Sequence, residues 1–252
     1  MKIKNMTAVF LALSVIFLYT GCSREGFSDA VNNKNDKPST SSSSSDAADN
    51  VNGKEFDMQT GELVEKGVYM AYALPRGEGG QSEAASNISQ AIHSILMALP
   101  QQFDLSEEGA SLEVYDSVTK NDGRYYSIMY DGTYLSEKGA SKEEFCFGLA
   151  FDSVTGDRIV VSDVIDPRTF SVLALDAQSS AIKSRDEQVV AQQRQILEEM
   201  GSDEFYDIIT TGEQESMMAL IEASFYLDGD EVIAVISKPD QPMGAVRVAV
   251  KL

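Results

Sequence analysis

LEVYDSVTKNDGRYYSIMYDGTYL, residues 112–135, decides the fold class. On either side of Asp122-Gly123, β-branched and aromatic residues alternate with polar ones. Leu112–Thr119 and Tyr125–Leu135 therefore read as two strands joined by an aspartate-glycine turn. Downstream, Glu144–Phe151 and Arg158–Val161 read as further strands around Thr155-Gly156. Upstream, Leu63–Leu74 reads as one strand ending at Pro75, followed by a loop with Gly77, Gly79 and Gly80. Ile88, Ile92, Ile95, Leu96 and Leu99 then recur on one helix face, and Pro100 stops the helix.

The second half becomes helical before returning to strands. Asp166-Pro167 is a helix start, with Phe170, Leu173, Ala174 and Ala177 as the apolar stripe. A second helix spans Asp186–Met200, with Val189, Ile196, Leu197 and Met200 facing in and Gly201 ending it, and a short helical stretch lies near Phe205–Ile209. Phe225–Leu227 and Val232–Ile236 flank Asp228-Gly229-Asp230 as a hairpin. The final strand alternates, with Val246, Val248, Val250 and Leu252 on one face. Strands at both ends with helices between give an α+β fold, a mostly antiparallel sheet packed by helices. Gln101–Gly109 is the candidate division between two subdomains.

Composition narrows the function. Among 252 residues, 43% are apolar, enough for a core, and Lys+Arg number 20 against Asp+Glu 40. A net charge of -20 opposes binding to phosphate backbones, so no nucleic-acid partner is expected. One histidine and two cysteines exclude sites built on several imidazoles and any disulfide-rich scaffold.

The N-terminus carries an export signal. Lys2 and Lys4 precede the apolar run Ala8–Tyr19, which is short for a bilayer span and ends in Thr20-Gly21-Cys22. This resembles a bacterial lipobox, with Leu18 one place further from the cysteine than usual. The resemblance implies a lipoprotein signal peptide over residues 1–21 and lipidation of Cys22. It places the chain on the outer face of the bacterial cell membrane, exported and lipid-anchored. Residues 22–54, with Ser39–Ser45, read as a serine-rich disordered tether, and 55–252 as the folded domain.

No catalytic constellation stands out. His93 lies beside the helix stripe and reads as a solvated or rim histidine, and no Gly-x-Ser-x-Gly elbow accompanies it. Cys146, in Phe145-Cys146-Phe147, reads as an inert buried thiol. Gly77-Glu78-Gly79-Gly80 matches neither nucleotide-loop spacing, and Asp228–Glu231 reads as a hairpin turn, not a calcium loop. Neither a metal nor a cofactor is expected. Forty acidic residues supply carboxylate pairs everywhere, and so point to none. Tyr126, Tyr130 and Tyr134 share strand parity; cross-strand packing is the favoured reading, a sugar-stacking or protein-binding face the alternative.

Several motifs in order resemble the extracellular domain of unknown function found in the sensor region of RsiV-type anti-sigma factors and beside some peptidoglycan deacetylases. They are Val68–Leu74 with Asn87–Leu99, Tyr125–Tyr134, the turn Asp152-Ser153-Val154-Thr155-Gly156 leading to Asp163-Val164-Ile165, and Phe225–Leu252. Many relatives carry Gly-Gly-Ala-His where this chain has Lys138-Gly139-Ala140-Ser141. The resemblance implies a non-catalytic sensor or binding domain for an envelope or host macromolecule, either cell-wall glycan or a lysozyme-like protein. The other expectations are a carboxylate-based cell-wall glycan hydrolase and a structural envelope lipoprotein without ligand.

Overall fold

The computed structural model describes residues 54–176, 187–211, 217–237 and 245–251. The expected signal peptide, Cys22 and all of the expected tether except Lys54 lie outside them, as do Ala177, Asp186 and Leu252.

The chain opens with a hairpin, β1 (Asp57–Glu65) and β2 (Val68–Arg76), turned by Lys66-Gly67. This corrects the single strand expected over Leu63–Leu74. Nor does Pro75 end β2: it sits inside the strand, opposite Met58. A proline is tolerated there because no neighbouring strand pairs with that end of β2 on its other side, so no ladder donor is lost. Helix α1 (Ser82–Ala98) follows and tightens into a 3-10 turn at Leu99–Gln102, with Pro100 in its first positions. β3 (Ser111–Asn121), β4 (Tyr125–Leu135) and β5 (Glu143–Asp152) then complete a sheet in the order β1-β2-β3-β4-β5. All its pairs are antiparallel except β2–β3, which run parallel only over Val68–Met70 against Leu112–Val114.

Arg158–Val161 is not a strand. Arg158 makes one bridge to Phe151, and the chain turns at once into a 3-10 segment at Val161–Asp163. Helix α2 (Pro167–Asp176) begins as expected: Asp166 Oδ1 accepts the Thr169 N–H at 2.8 Å and the Thr169 hydroxyl at 2.8 Å. Its inward face is Phe170, Ser171 and Ala174, while Leu173 is exposed. Helix α3 (Glu187–Thr211) is broken at Gly201, whose φ of 72° is left-handed, so the helix expected to stop there resumes in a new direction. The short helix α4 (Met217–Glu222) leads into β6 (Ala223–Asp228), β7 (Glu231–Ile236) and β8 (Val246–Lys251), a second, antiparallel sheet. The fold is α+β, with two sheets instead of one.

Three apolar clusters hold it together. α1 lays Ile88, Ile92 and Leu96 on one face of the first sheet, against Met70, Leu112, Tyr130 and Phe147. The helices α2 and α3 cover the outer face of the second sheet through Phe170, Leu197 and Phe205 against Val232, Ala234 and Val248. Between the sheets lie Met129, Cys146, Tyr226, Ile233 and Val235. The sheets approach closely enough for a serine hydroxyl of each to accept a backbone N–H of the other: Leu227 N–H donates to Ser127 Oγ at 2.8 Å and Gly148 N–H to Ser224 Oγ at 2.9 Å.

Candidate functional site

The second sheet spans only part of the first. Its apolar inter-sheet contacts fall on β4 and β5, through Met129 and Cys146, and it reaches the far end of β3, where Lys120 Nζ donates to the Gly229 carbonyl; the corresponding face of β1, β2 and the first half of β3 carries exposed side chains. The register places Val64 opposite Tyr69, Glu62 opposite Ala71 and Tyr69 beside Glu113 on that face, with Tyr115 next along β3. Val64 is 70% exposed, Tyr115 50% and Met58 39%. The Tyr69 and Tyr115 rings lie 5.6 Å apart, tilted by 49°. The Tyr69 hydroxyl donates to Glu62 Oε1 at 3.5 Å, and the Glu62 charge raises the phenol pKa above its ordinary value. The result is a shallow aromatic pair with carboxylates beside it. Such a surface stacks on a sugar ring or receives a cationic side chain.

A second polar feature lies where β2 and β3 separate. Beyond Met70 and Val114 the strands no longer pair, and side chains take over the seam. The Tyr126 hydroxyl donates to the Ala73 carbonyl at 3.4 Å. Asp116 is half-buried there, and burial raises its carboxyl pKa above its ordinary value, against the opposing pull of the Ala73 N–H and its own N–H. Its cross-strand partner Tyr130 is fully buried, and its hydroxyl has no hydrogen-bond partner among the described residues. Phe56 closes the far end. Its N–H donates to Asn121 Oδ1 at 3.0 Å, its carbonyl accepts from Asn121 Nδ2 at 2.9 Å, and its ring meets Tyr126 edge-on at 6.1 Å. These contacts replace a missing ladder, and so hold the seam shut instead of opening it to a ligand.

The residues singled out in the sequence fall elsewhere. Tyr126 and Tyr130 are 0% exposed and Tyr134 8%, so the tyrosine stripe is core and offers no sugar-stacking face. Tyr130 stacks on Phe147 at 4.9 Å, and the Tyr134 hydroxyl donates to the Asp104 carbonyl at 2.8 Å. His93 is exposed on α1. Cys146 is buried between the sheets, where burial pushes its thiol pKa well up and away from thiolate chemistry. Gly229 and Asp230 form the tight turn of the β6–β7 hairpin. Among the described residues no three histidine, cysteine, aspartate or glutamate side chains are grouped to hold a metal ion, and no helix is long and apolar enough to cross a membrane.

The pair of exposed Tyr115 and partly buried Tyr69 was missed because its strands carry the same alternation as the buried ones. The sequence signal that exists is Val64-Glu65 followed by Tyr69, an apolar and aromatic excess on a face that also carries Glu62.

No protein-family model matches the chain. No curated protein matches it in sequence. Two solved structures are similar to it, both of domains of unknown function. One is a DUF3298 family protein of Pseudomonas aeruginosa PAO1, at 12% identity and a TM-score of 0.38, covering 80% of this chain and 91% of that one. The other is a member of the same family from Bacteroides fragilis NCTC 9343, at 12% identity and a TM-score of 0.43, covering 80% and 92%.

Proposed function

We propose that this protein is a cell-surface lipoprotein, anchored through lipidated Cys22, whose α+β domain is a non-catalytic sensor or binding module for an envelope or host macromolecule. The observation that carries the reading is the uncovered face of β1, β2 and the first half of β3, where partly buried Tyr69 lies beside exposed Tyr115. Exposed aromatic residues grouped on a rigid sheet are the usual anchors of an interface, because they bury much area while losing little side-chain freedom. The export signal and the resemblance to RsiV-type sensor regions support an envelope setting, and point to cell-wall glycan or a lysozyme-like protein as the partner.

The test is retention of the full-length lipoprotein on purified cell-wall fragments and on immobilised lysozyme, with wild type, Tyr69→Ala and Tyr115→Ala compared. Retention on one of the two, reduced roughly tenfold or more by each variant, is the expected result. Folded wild type that binds neither matrix, or variants that bind as well as wild type, would sink the assignment. Release of reducing ends from the cell-wall fragments would instead make the protein a glycan hydrolase.

A further inference from the structure

We infer that the outer edge of β1 is a docking edge for an extended peptide segment bearing lysine or arginine, which adds to the five-stranded sheet as a sixth strand. The inference rests on the binding role proposed above and concerns a different part of the domain, the backbone edge of β1.

β1 is the end strand of the sheet, and among the described residues it pairs only with β2. The direction of its backbone groups follows from the register. Glu65 and Val68 flank the two-residue turn and form the first hydrogen-bonded pair, after which hydrogen-bonded and open pairs alternate along an antiparallel ladder. Val64–Tyr69, Glu62–Ala71, Thr60–Ala73 and Met58–Pro75 are then the open pairs. Contacts on the far side of β2 agree. The Gly67 carbonyl, in the turn, accepts the Leu112 N–H at 2.7 Å and the Ala73 carbonyl on β2 accepts the Tyr126 hydroxyl, so odd-numbered residues along this segment direct their groups away from β1. Met58, Thr60, Glu62 and Val64 therefore each turn one N–H and one C=O outward. An edge of this kind is a template for another strand.

Charge selects the occupant. β1 carries Asp57, Glu62 and Glu65 and no basic residue. Among the described residues no ion pair neutralises these three. A second copy of the chain is disfavoured: antiparallel pairing of two β1 edges about Gly61 would set Asp57 directly opposite Glu65, in molecules that each carry a net charge of -20. A glycan has no amide ladder to offer. A lysine- or arginine-bearing extended segment satisfies both the backbone row and the carboxylates, and Val64 and Met58 give its apolar side chains a surface on the open face.

The probe is a labelled peptide alternating lysine and valine, titrated into the full-length protein and followed by fluorescence anisotropy. Saturable binding is expected, weakening about threefold or more between low salt and roughly 0.5 M salt, while a glutamate–valine peptide does not bind. Thr60→Pro removes one outward N–H and leaves the β1–β2 ladder untouched, since proline is accepted on an edge strand with its nitrogen toward solvent. It should weaken binding roughly tenfold at an unchanged circular-dichroism spectrum. Should Thr60→Pro fail to fold, N-methylation of alternate residues of the peptide tests the same hydrogen bonds from the other side. No binding of the basic peptide, or binding indifferent to both Thr60→Pro and N-methylation, overturns the edge assignment. Under that outcome, Tyr115-dependent retention of a glycan or folded protein would leave the β1–β3 face reading standing, whereas its loss as well would remove both.

Discussion

Asp116 shows how one residue's surroundings reverse its expected contribution. An exposed aspartate on a strand is normally neutral for stability, but this one is half-buried in the seam between β2 and β3, beside Tyr126 and the unpartnered hydroxyl of Tyr130. Burial penalises its charged form more than the Ala73 N–H and its own N–H reward it, so the folded-state pKa is raised. The folded chain then holds the proton more tightly than the unfolded chain. Asp116 contributes stability that is present below the ordinary carboxylate pKa and is lost as pH rises through the raised value. Asp116→Asn is therefore expected to raise the melting temperature at about pH 7 and to leave it nearly unchanged at about pH 3. Thermal unfolding at the two pH values checks this; a lower melting temperature at neutral pH would mean that the charged carboxylate's bond to the Ala73 N–H outweighs its burial.

At the scale of elements, alternation along a strand reports which residues share a face, and not which face is covered. Along β4 every residue from Tyr126 to Tyr130 is buried, because α1 covers one face and the second sheet the other. Tyr115 on β3 has the same local pattern and is half exposed, because the second sheet does not reach it. The hairpins around Asp122-Gly123 and Gly229-Asp230 and the start of α2 were legible, since their turn and cap chemistry is local. Arg158–Val161 was misread for the opposite reason: a short aliphatic run is a strand only if a neighbour offers it a ladder, and Phe151 offers a single bridge. The sheet-on-sheet contact has its own test at Gly148, where a Cβ would stand 2.7 Å from the Phe225 carbonyl oxygen and 2.9 Å from the Tyr226 Cβ. These are backbone and backbone-proximal atoms, which yield little. Gly148→Ala should destabilise the domain by about 1–3 kcal/mol, read as a lower urea midpoint with the slope preserved. An unchanged midpoint would show that the sheets can separate slightly at no expense.

For the whole molecule, the decisive proposed element is Cys22, in a region outside the described residues. One acyl chain holds a protein at a membrane only marginally, and durable anchoring takes at least two, as the lipobox resemblance implies. Cys22→Ser is expected to abolish partitioning into detergent while leaving the far-ultraviolet dichroism of residues 55–252 intact. Equal partitioning of mutant and wild type would make the apolar run Ala8–Tyr19 the anchor instead. By itself the sequence determined the strands on either side of Asp122-Gly123, the inward face of α1 and the acidic charge, because each depends on neighbours a few residues apart or on composition alone. Only the tertiary structure decided that the strands divide into two sheets, that the second sheet shields β4 and β5 but leaves Tyr115 exposed beside partly buried Tyr69, and that β1 is an edge. Those properties depend on which surfaces meet across long separations in the chain, such as Leu227 on Ser127, and a local pattern of apolar and polar residues is the same whether or not that meeting occurs.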